Sequence, residues 1–223
     1  MMKELDLNSW NRRSHYELFS SYLQPCFRLD VRLDVTALEK GRKRYGGLFL
    51  PFVYLLMRAV NRTPGARLRC LDGKVVDVEV SHPSFTVDLS DGNFAFCRCT
   101  YREDYPTFRR ESEREIARVK ADAGKGDKAP FTTNDSADAV YLSCLPWIDF
   151  VSLSNPLPYG NELSMSIPRL NWGRFTPEGD RVMVTLSVTM NHALIDGREA
   201  SAMLCKLQED LLNADALLEE AAL

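Results

Sequence analysis

The segment Arg181–Glu199 reads RVMVTLSVTMNHALIDGRE, and it carries the side chains best suited to chemistry. Val182, Val184, Leu186, Val188 and Met190 alternate with other residues over ten positions, the period-2 mark of a strand with one buried face. His192 follows immediately, then Asp196 and Gly197 before a helical pattern begins. A histidine just past a strand end stands on a rigid base and can project into a cleft. An imidazole has an ordinary pKa of about 6.5, so it can take up or release a proton near neutral pH. Asp196 could orient that base or fix its loop, and Gly197 permits a sharp reversal into the helix. Spacing alone leaves a second reading open, in which His192 is structural and Asp196 merely caps the next helix. A metal centre is not expected. The other two histidines, His15 and His82, are remote in sequence, and Asp196 alone is a poor partner set for zinc.

The elements that must position these groups alternate between helix and strand. Ser14–Tyr22 reads as a helix with Ser14 as N-cap and Glu17 three residues on. Phe27–Val35 alternates as a half-buried strand, and Thr36 would cap a helix reaching Tyr45. Leu48–Asn61 is a strongly apolar helix. Asp72-Gly73 and Asp91-Gly92 supply the positive-φ residues of two hairpins, Arg67–Val80 and Ser84–Leu89 with Asn93–Thr100. Pro106–Ala123 is a charged helix and Gly124–Lys128 a flexible loop. Tyr141–Met190 reads mostly as strand with a turn at Pro177-Glu178-Gly179-Asp180, and Arg198–Leu212 as a closing helix. Hairpins rather than regular βα units favour an α+β fold: one domain over 1–223, a mostly antiparallel or mixed sheet with helices packed on it, and peripheral segments at 1–7 and 213–223.

Composition excludes several functions. The 223 residues are 45% hydrophobic and 26% charged, which suits one globular domain. Lys plus Arg is 28 against 31 acidic residues, a net charge of −3, so no general nucleic-acid binder is expected. The longest apolar run, Gly46–Met57, stops at Arg58 and holds Pro51, far short of the roughly 20 residues a membrane span needs. The N-terminus lacks an apolar leader segment. The six cysteines, with no CxxC pair, read as reduced thiols of a cytoplasmic protein, Cys97 and Cys99 sharing one strand face. There is no GxGxxG, no GxxxxGK[ST] and no GxSxG.

At Asn191–Gly197 the chain resembles the chloramphenicol acetyltransferase family, whose pattern is HHxxxDG after an EGD turn. The similarity continues through Asn8–His15 against NWxRxxHF, Leu33–Thr36, Phe49-Leu50-Pro51 against FYP, Pro83–Val87 against P-x-FTV, and Pro146–Ser152 against PW-x-x-F-x-S. Ordered matches run from about Trp10 to Leu211. The resemblance implies direct transfer of an acetyl group from acetyl-CoA to a small molecule's hydroxyl, with chloramphenicol as one candidate acceptor. It places His192 as general base and Ser152 as donor to the tetrahedral oxyanion. Asp196 and Arg12 match an ion pair that braces the base's loop. Arg174 falls where family members carry a lysine near the CoA phosphates. Phe19, Leu23 and Phe94 align with apolar positions of the acceptor pocket. The resemblance also implies a homotrimer, with each site between two subunits and no permanently bound cofactor. The chain departs from the pattern at Asn191, which replaces the first histidine, and at Asn171, which replaces a threonine that holds a water near the intermediate. Pro25 stands where a cysteine lines the acceptor pocket. The base, oxyanion donor and ion pair are thus kept while the acceptor side is altered. Two alternatives stay open: another acyltransferase of the same superfamily, such as a dihydrolipoamide acyltransferase catalytic domain, and a non-catalytic trimeric protein that holds a small apolar molecule.

Overall fold

The computed structural model describes residues 2–122 and 136–219. Gly124–Lys128, expected as a loop, lies outside the described residues. The described residues contribute ten strands, in order β1 (Lys3–Glu4), β2 (Cys26–Asp34), β3 (Leu68–Leu71), β4 (Lys74–Asp77), β5 (His82–Asp88), β6 (Phe94–Arg98), β7 (Ala139–Cys144), β8 (Arg169–Trp172), β9 (Thr176–Glu178) and β10 (Arg181–Asn191). The helices are α1 (Arg13–Ser20), α2 (Thr36–Lys40), α3 (Phe49–Asn61), α4 (Tyr105–Asp122), α5 (Glu162–Ser166), α6 (Gly197–Leu212) and α7 (Ala214–Leu218).

β10 organises the main sheet, whose order is β2-β10-β8-β7-β5-β6 with β9 also paired to β10. The β8–β7 and β7–β5 pairs are parallel and the others antiparallel, so the sheet is mixed. Alternation along β10 works as its sequence requires. Val184, Leu186, Val188 and Met190 are buried on the core face. There they meet α3 and α6 in one cluster. α3 is buried on every side, and its one charge, Arg58, pairs with Asp210 of α6 at 3.1 Å. Pro51 is tolerated because it lies in the first turn, where no intrahelical N–H is needed. β1, β4 and β3 form a separate three-stranded sheet.

Both Asp-Gly turns form, with Asp72 and Gly73 at φ 52° and 72° and Gly92 at φ 83°. Other elements depart from expectation. α1 begins at Arg13, so Ser14 lies inside it, and Glu17 bonds Arg13 at 2.7 Å instead of closing a capping box. Val35, not Thr36, precedes α2, because the Thr36 hydroxyl accepts the Val182 N–H at 2.9 Å. α2 also stops at Lys40, and the chain reaches Tyr45 through turns. Residues 145–161 contain no strand; Pro146, Pro156 and Pro158 remove ladder donors and interrupt any alternation. α5 then starts from Asn161, whose side chain accepts the Ser164 N–H. The C-terminal segment is not peripheral through Leu218, since Ala214 and Leu218 belong to the core. Among the described residues no helix is long and apolar enough to cross a membrane.

Candidate active site

The base candidate is built by the end of β10. Asn191 is the last strand residue and pairs with Cys26 of β2. Its side-chain oxygen accepts the Ala193 N–H at 2.9 Å, which turns the chain as a short polar side chain commonly does. The His192 N–H donates to the Pro25 carbonyl at 2.8 Å, fixing the backbone at the point of departure. The imidazole stacks on Phe19 of α1, ring centroids 4.0 Å apart at 10°, and lies 5.0 Å from the Phe27 ring of β2. Nδ1 is buried without a partner.

Asp196 holds the far end of this loop. One carboxylate oxygen accepts the Glu199 N–H at 2.9 Å, capping α6, and the other receives Arg12 Nη1. The Glu199 N–H, and then Arg12, keep the Asp196 carboxyl below its ordinary pKa. Arg12 Nη2 also reaches the His192 carbonyl, at 3.5 Å. Arg12, Asp196, His192 and Phe19 are thus brought together within one chain.

The remaining predicted residues are elsewhere. Ser143 of β7, Asn171 of β8, Ser187 of β10 and Asp30 of β2 stand in register across the outer face of the sheet. Asn171 is buried and exchanges amide hydrogen bonds with Asn155. The Leu153 N–H donates to Ser187 Oγ at 3.0 Å, so Ser152 crosses the same face, exposed, on a segment with no strand. Ser187 is five residues from His192, roughly 16 Å at about 3.3 Å per residue. Phe94 lies on β6, four strand spacings from β10, or about 19 Å. Leu23 is 80% exposed. Within one chain, then, Ser152, Asn171 and Phe94 do not meet the imidazole.

Arg174 lines a cavity of about 550 Å³ with Phe49, Trp172, Phe175 and a second cation, Arg42. Ser143 was not singled out from the sequence. The signal was available, because alternation along Ala139–Cys144 puts Tyr141 and Ser143 on the face opposite Val140 and Leu142. Glu199 and its partner Gly65 were also missed, and no local spacing links them. Among the described residues no three His, Cys, Asp or Glu side chains converge as metal ligands. All six cysteines are free thiols; burial raises the Cys26 thiol and pushes those of Cys70 and Cys144 up to about 12.

The arrangement is a mixed sheet with a histidine loop at the end of β10. It superposes on a solved chloramphenicol acetyltransferase with a TM-score of 0.82 at 24% identity, covering 95% of this chain and 100% of that one. Against the dihydrolipoamide acetyltransferase of Azotobacter vinelandii the TM-score is 0.65 at 18% identity, covering 92% and 88%. The family model described as chloramphenicol acetyltransferase matches residues 1–208, and the chain belongs to that family. Chloramphenicol acetyltransferase 2 of Escherichia coli is 31% identical over 206 residues, 92% of this chain and 94% of that one. Chloramphenicol acetyltransferase 3 of the same organism is 28% identical over 208 residues, covering 92% and 95%. The chain is accordingly an acyltransferase with a role in acetyl transfer.

Proposed function

We propose that this protein transfers the acetyl group of acetyl-CoA directly to a hydroxyl of a small molecule, with His192 as general base and chloramphenicol as the first acceptor to try. The observation that carries this reading is the His192 imidazole, held at the end of β10 by the Pro25 carbonyl, the Phe19 ring and the Arg12–Asp196 pair. Nε2 takes the acceptor's proton as that oxygen attacks the thioester carbonyl. The resulting oxyanion collapses, the C–S bond breaks, and the leaving sulfur receives the proton back from Nε2 as CoA thiol. The imidazole ends as it began, so no acyl-enzyme is required.

The oxyanion needs a donor fixed in advance. Ser152 carries the family motif, but Ser143 is the better candidate. It sits on a strand directly across from Asn171, whereas Ser152 is exposed on irregular chain. Asn171 would place a water beside the intermediate. Arg174, with the aromatic walls of its cavity, suits the phosphorylated and adenine-bearing parts of CoA.

The base and the oxyanion row lie roughly 16 Å apart in one chain. This supports sites shared between copies, the base from one and Ser143, Asn171 and Phe94 from its neighbour, in a homotrimer. The exposure of Trp147, Ile148 and Val151, at 73%, 52% and 87%, is consistent with a partner's surface there. The test is thiol release by the purified protein from acetyl-CoA with chloramphenicol, alongside sedimentation analysis of its mass. Release that His192→Ala abolishes supports the proposal. Release only with another alcohol would replace the acceptor, and no release with any alcohol would favour a binding protein. A monomeric yet active protein would overturn the shared site.

A further inference from the structure

Asp196-x-x-Glu199 reads as a helix-capping box, in which the fourth residue's carboxylate would turn back to the N-cap's own N–H. Only half of that box forms. Asp196 accepts the Glu199 N–H at 2.9 Å. The Glu199 carboxylate instead reaches out of its helix, and Oε1 accepts the Gly65 N–H at 2.8 Å. Gly65 sits in the 3₁₀ turn Pro64–Arg67 that ends α3, and this turn is held independently. Thr63 Oγ1 donates to the Ala59 carbonyl at 2.9 Å, and Arg67 grips Asp77 with two bonds of 3.1 and 3.0 Å. The contact is close enough that a side chain at position 65 would push the Glu199 carboxylate aside. A Cβ there would stand 2.6 Å from Glu199 Oε2 and 3.1 Å from the Ile195 Cβ.

From this geometry we infer that Glu199 is a positioning residue for His192, tying the base's loop to the Pro64–Arg67 turn through the Gly65 amide. The inference rests on His192 being the base. Arg12 anchors the loop to the chain entering α1, and Glu199 anchors it to the end of α3. Two tethers to separate elements restrain rotation of the loop about either one. The carboxylate is also well placed electrostatically, at the first turn of α6, where helical N–H dipoles favour negative charge.

The test compares Glu199→Ala, Glu199→Gln and Gly65→Ala with the parent protein, by thiol-release kinetics and by NMR of the histidine rings. The His192 signals are assigned by their absence in His192→Ala. Glu199→Ala is expected to lower kcat about tenfold with KM for acetyl-CoA within twofold, and to shift or broaden the His192 ring signals. Glu199→Gln, whose amide oxygen still accepts from Gly65, should recover most of the rate. Gly65→Ala should resemble Glu199→Ala, and should cost less in the Glu199→Ala background than alone, because the collision with the carboxylate is then gone. Unchanged kcat and ring signals in Glu199→Ala, or Glu199→Gln as impaired as Glu199→Ala, would overturn the inference. Should the parent release no thiol, the proposed function fails, while the ring signals still decide the tether: signals unmoved by Glu199→Ala refute it.

Discussion

The loop 192–199 and the segment 145–161 are built in opposite ways. The loop is short and over-determined: a backbone bond to Pro25, an ion pair to Arg12, a helix cap on Glu199 and a carboxylate on Gly65 fix eight residues. The segment is longer, forms no strand, and is held mainly by side chains of the strands beneath it. Arg32 binds Asp149 at 2.9 Å, Arg28 binds Ser154, and Asn171 binds Asn155. Trp147, Ile148, Val151 and Tyr159 face outward. The difference fits the proposed division of roles between them. A base that moves a proton must be in place before the acceptor arrives, because misplacement by an ångström forfeits much of the rate. A surface that is completed by a second copy can leave its apolar side chains uncovered in the single chain.

The contrast can be broken first at its stronger end. His192→Ala removes the group all the bracing serves, and kcat should fall by about 10²–10⁴-fold, the range of general-base catalysis, with the fold intact by circular dichroism. A variant within tenfold of the parent would show that the braced loop is only architecture. The serine pair sharpens the other end. Ser143→Ala should cost about 10²–10³-fold in kcat, as loss of an oxyanion donor does, while Ser152→Ala stays within twofold. The reverse order would return the role to the irregular segment, and the rigidity argument would fail.

How much of this was legible in the sequence depends on the range of the interaction. β10, the two Asp-Gly turns and the Arg12–Asp196 pair could be read, the first two from local periodicity and turn chemistry, the pair through the family resemblance. The cap of α1 was misread, because Glu17 has Arg13 within its own first turn and bonds it instead. The strand expected across 145–161 failed at its prolines. The Leu218 side chain was assigned to a frayed end, yet it fills core space beside the folded α2, α4 and α6. Ser143 was passed over because its importance lies in its neighbour: only the parallel register of β7 with β8 sets it beside Asn171. Glu199 and Gly65 are 134 residues apart, and nothing local announces their bond.

The smallest expected effect concerns the bracing itself and is read through pH. Asparagine caps helices about as well as aspartate, so Asp196→Asn should keep the bond to the Glu199 N–H and remove only the charge that holds Arg12. The pair is partly open to solvent, with Arg12 and Asp196 side chains 15% and 36% exposed, so the loss at neutral pH should be about 1 kcal/mol or less. Its sign is fixed by the carboxyl's folded pKa, which lies below the ordinary 3.8. A depressed carboxyl contributes stability that is present above the unfolded value and lost as pH falls through the folded one. The parent should therefore be more stable than Asp196→Asn at pH 7. The gap should begin to shrink as the pH drops through the ordinary carboxylate range, and shrink further as it falls through the parent's depressed pKa, where the folded carboxylate takes up its proton. Urea unfolding of both proteins from pH 7 to pH 3 measures this. A gap that stays constant over that range would mean the Arg12–Asp196 charge contributes nothing, and that the loop's rigidity comes from its backbone bonds and from Glu199.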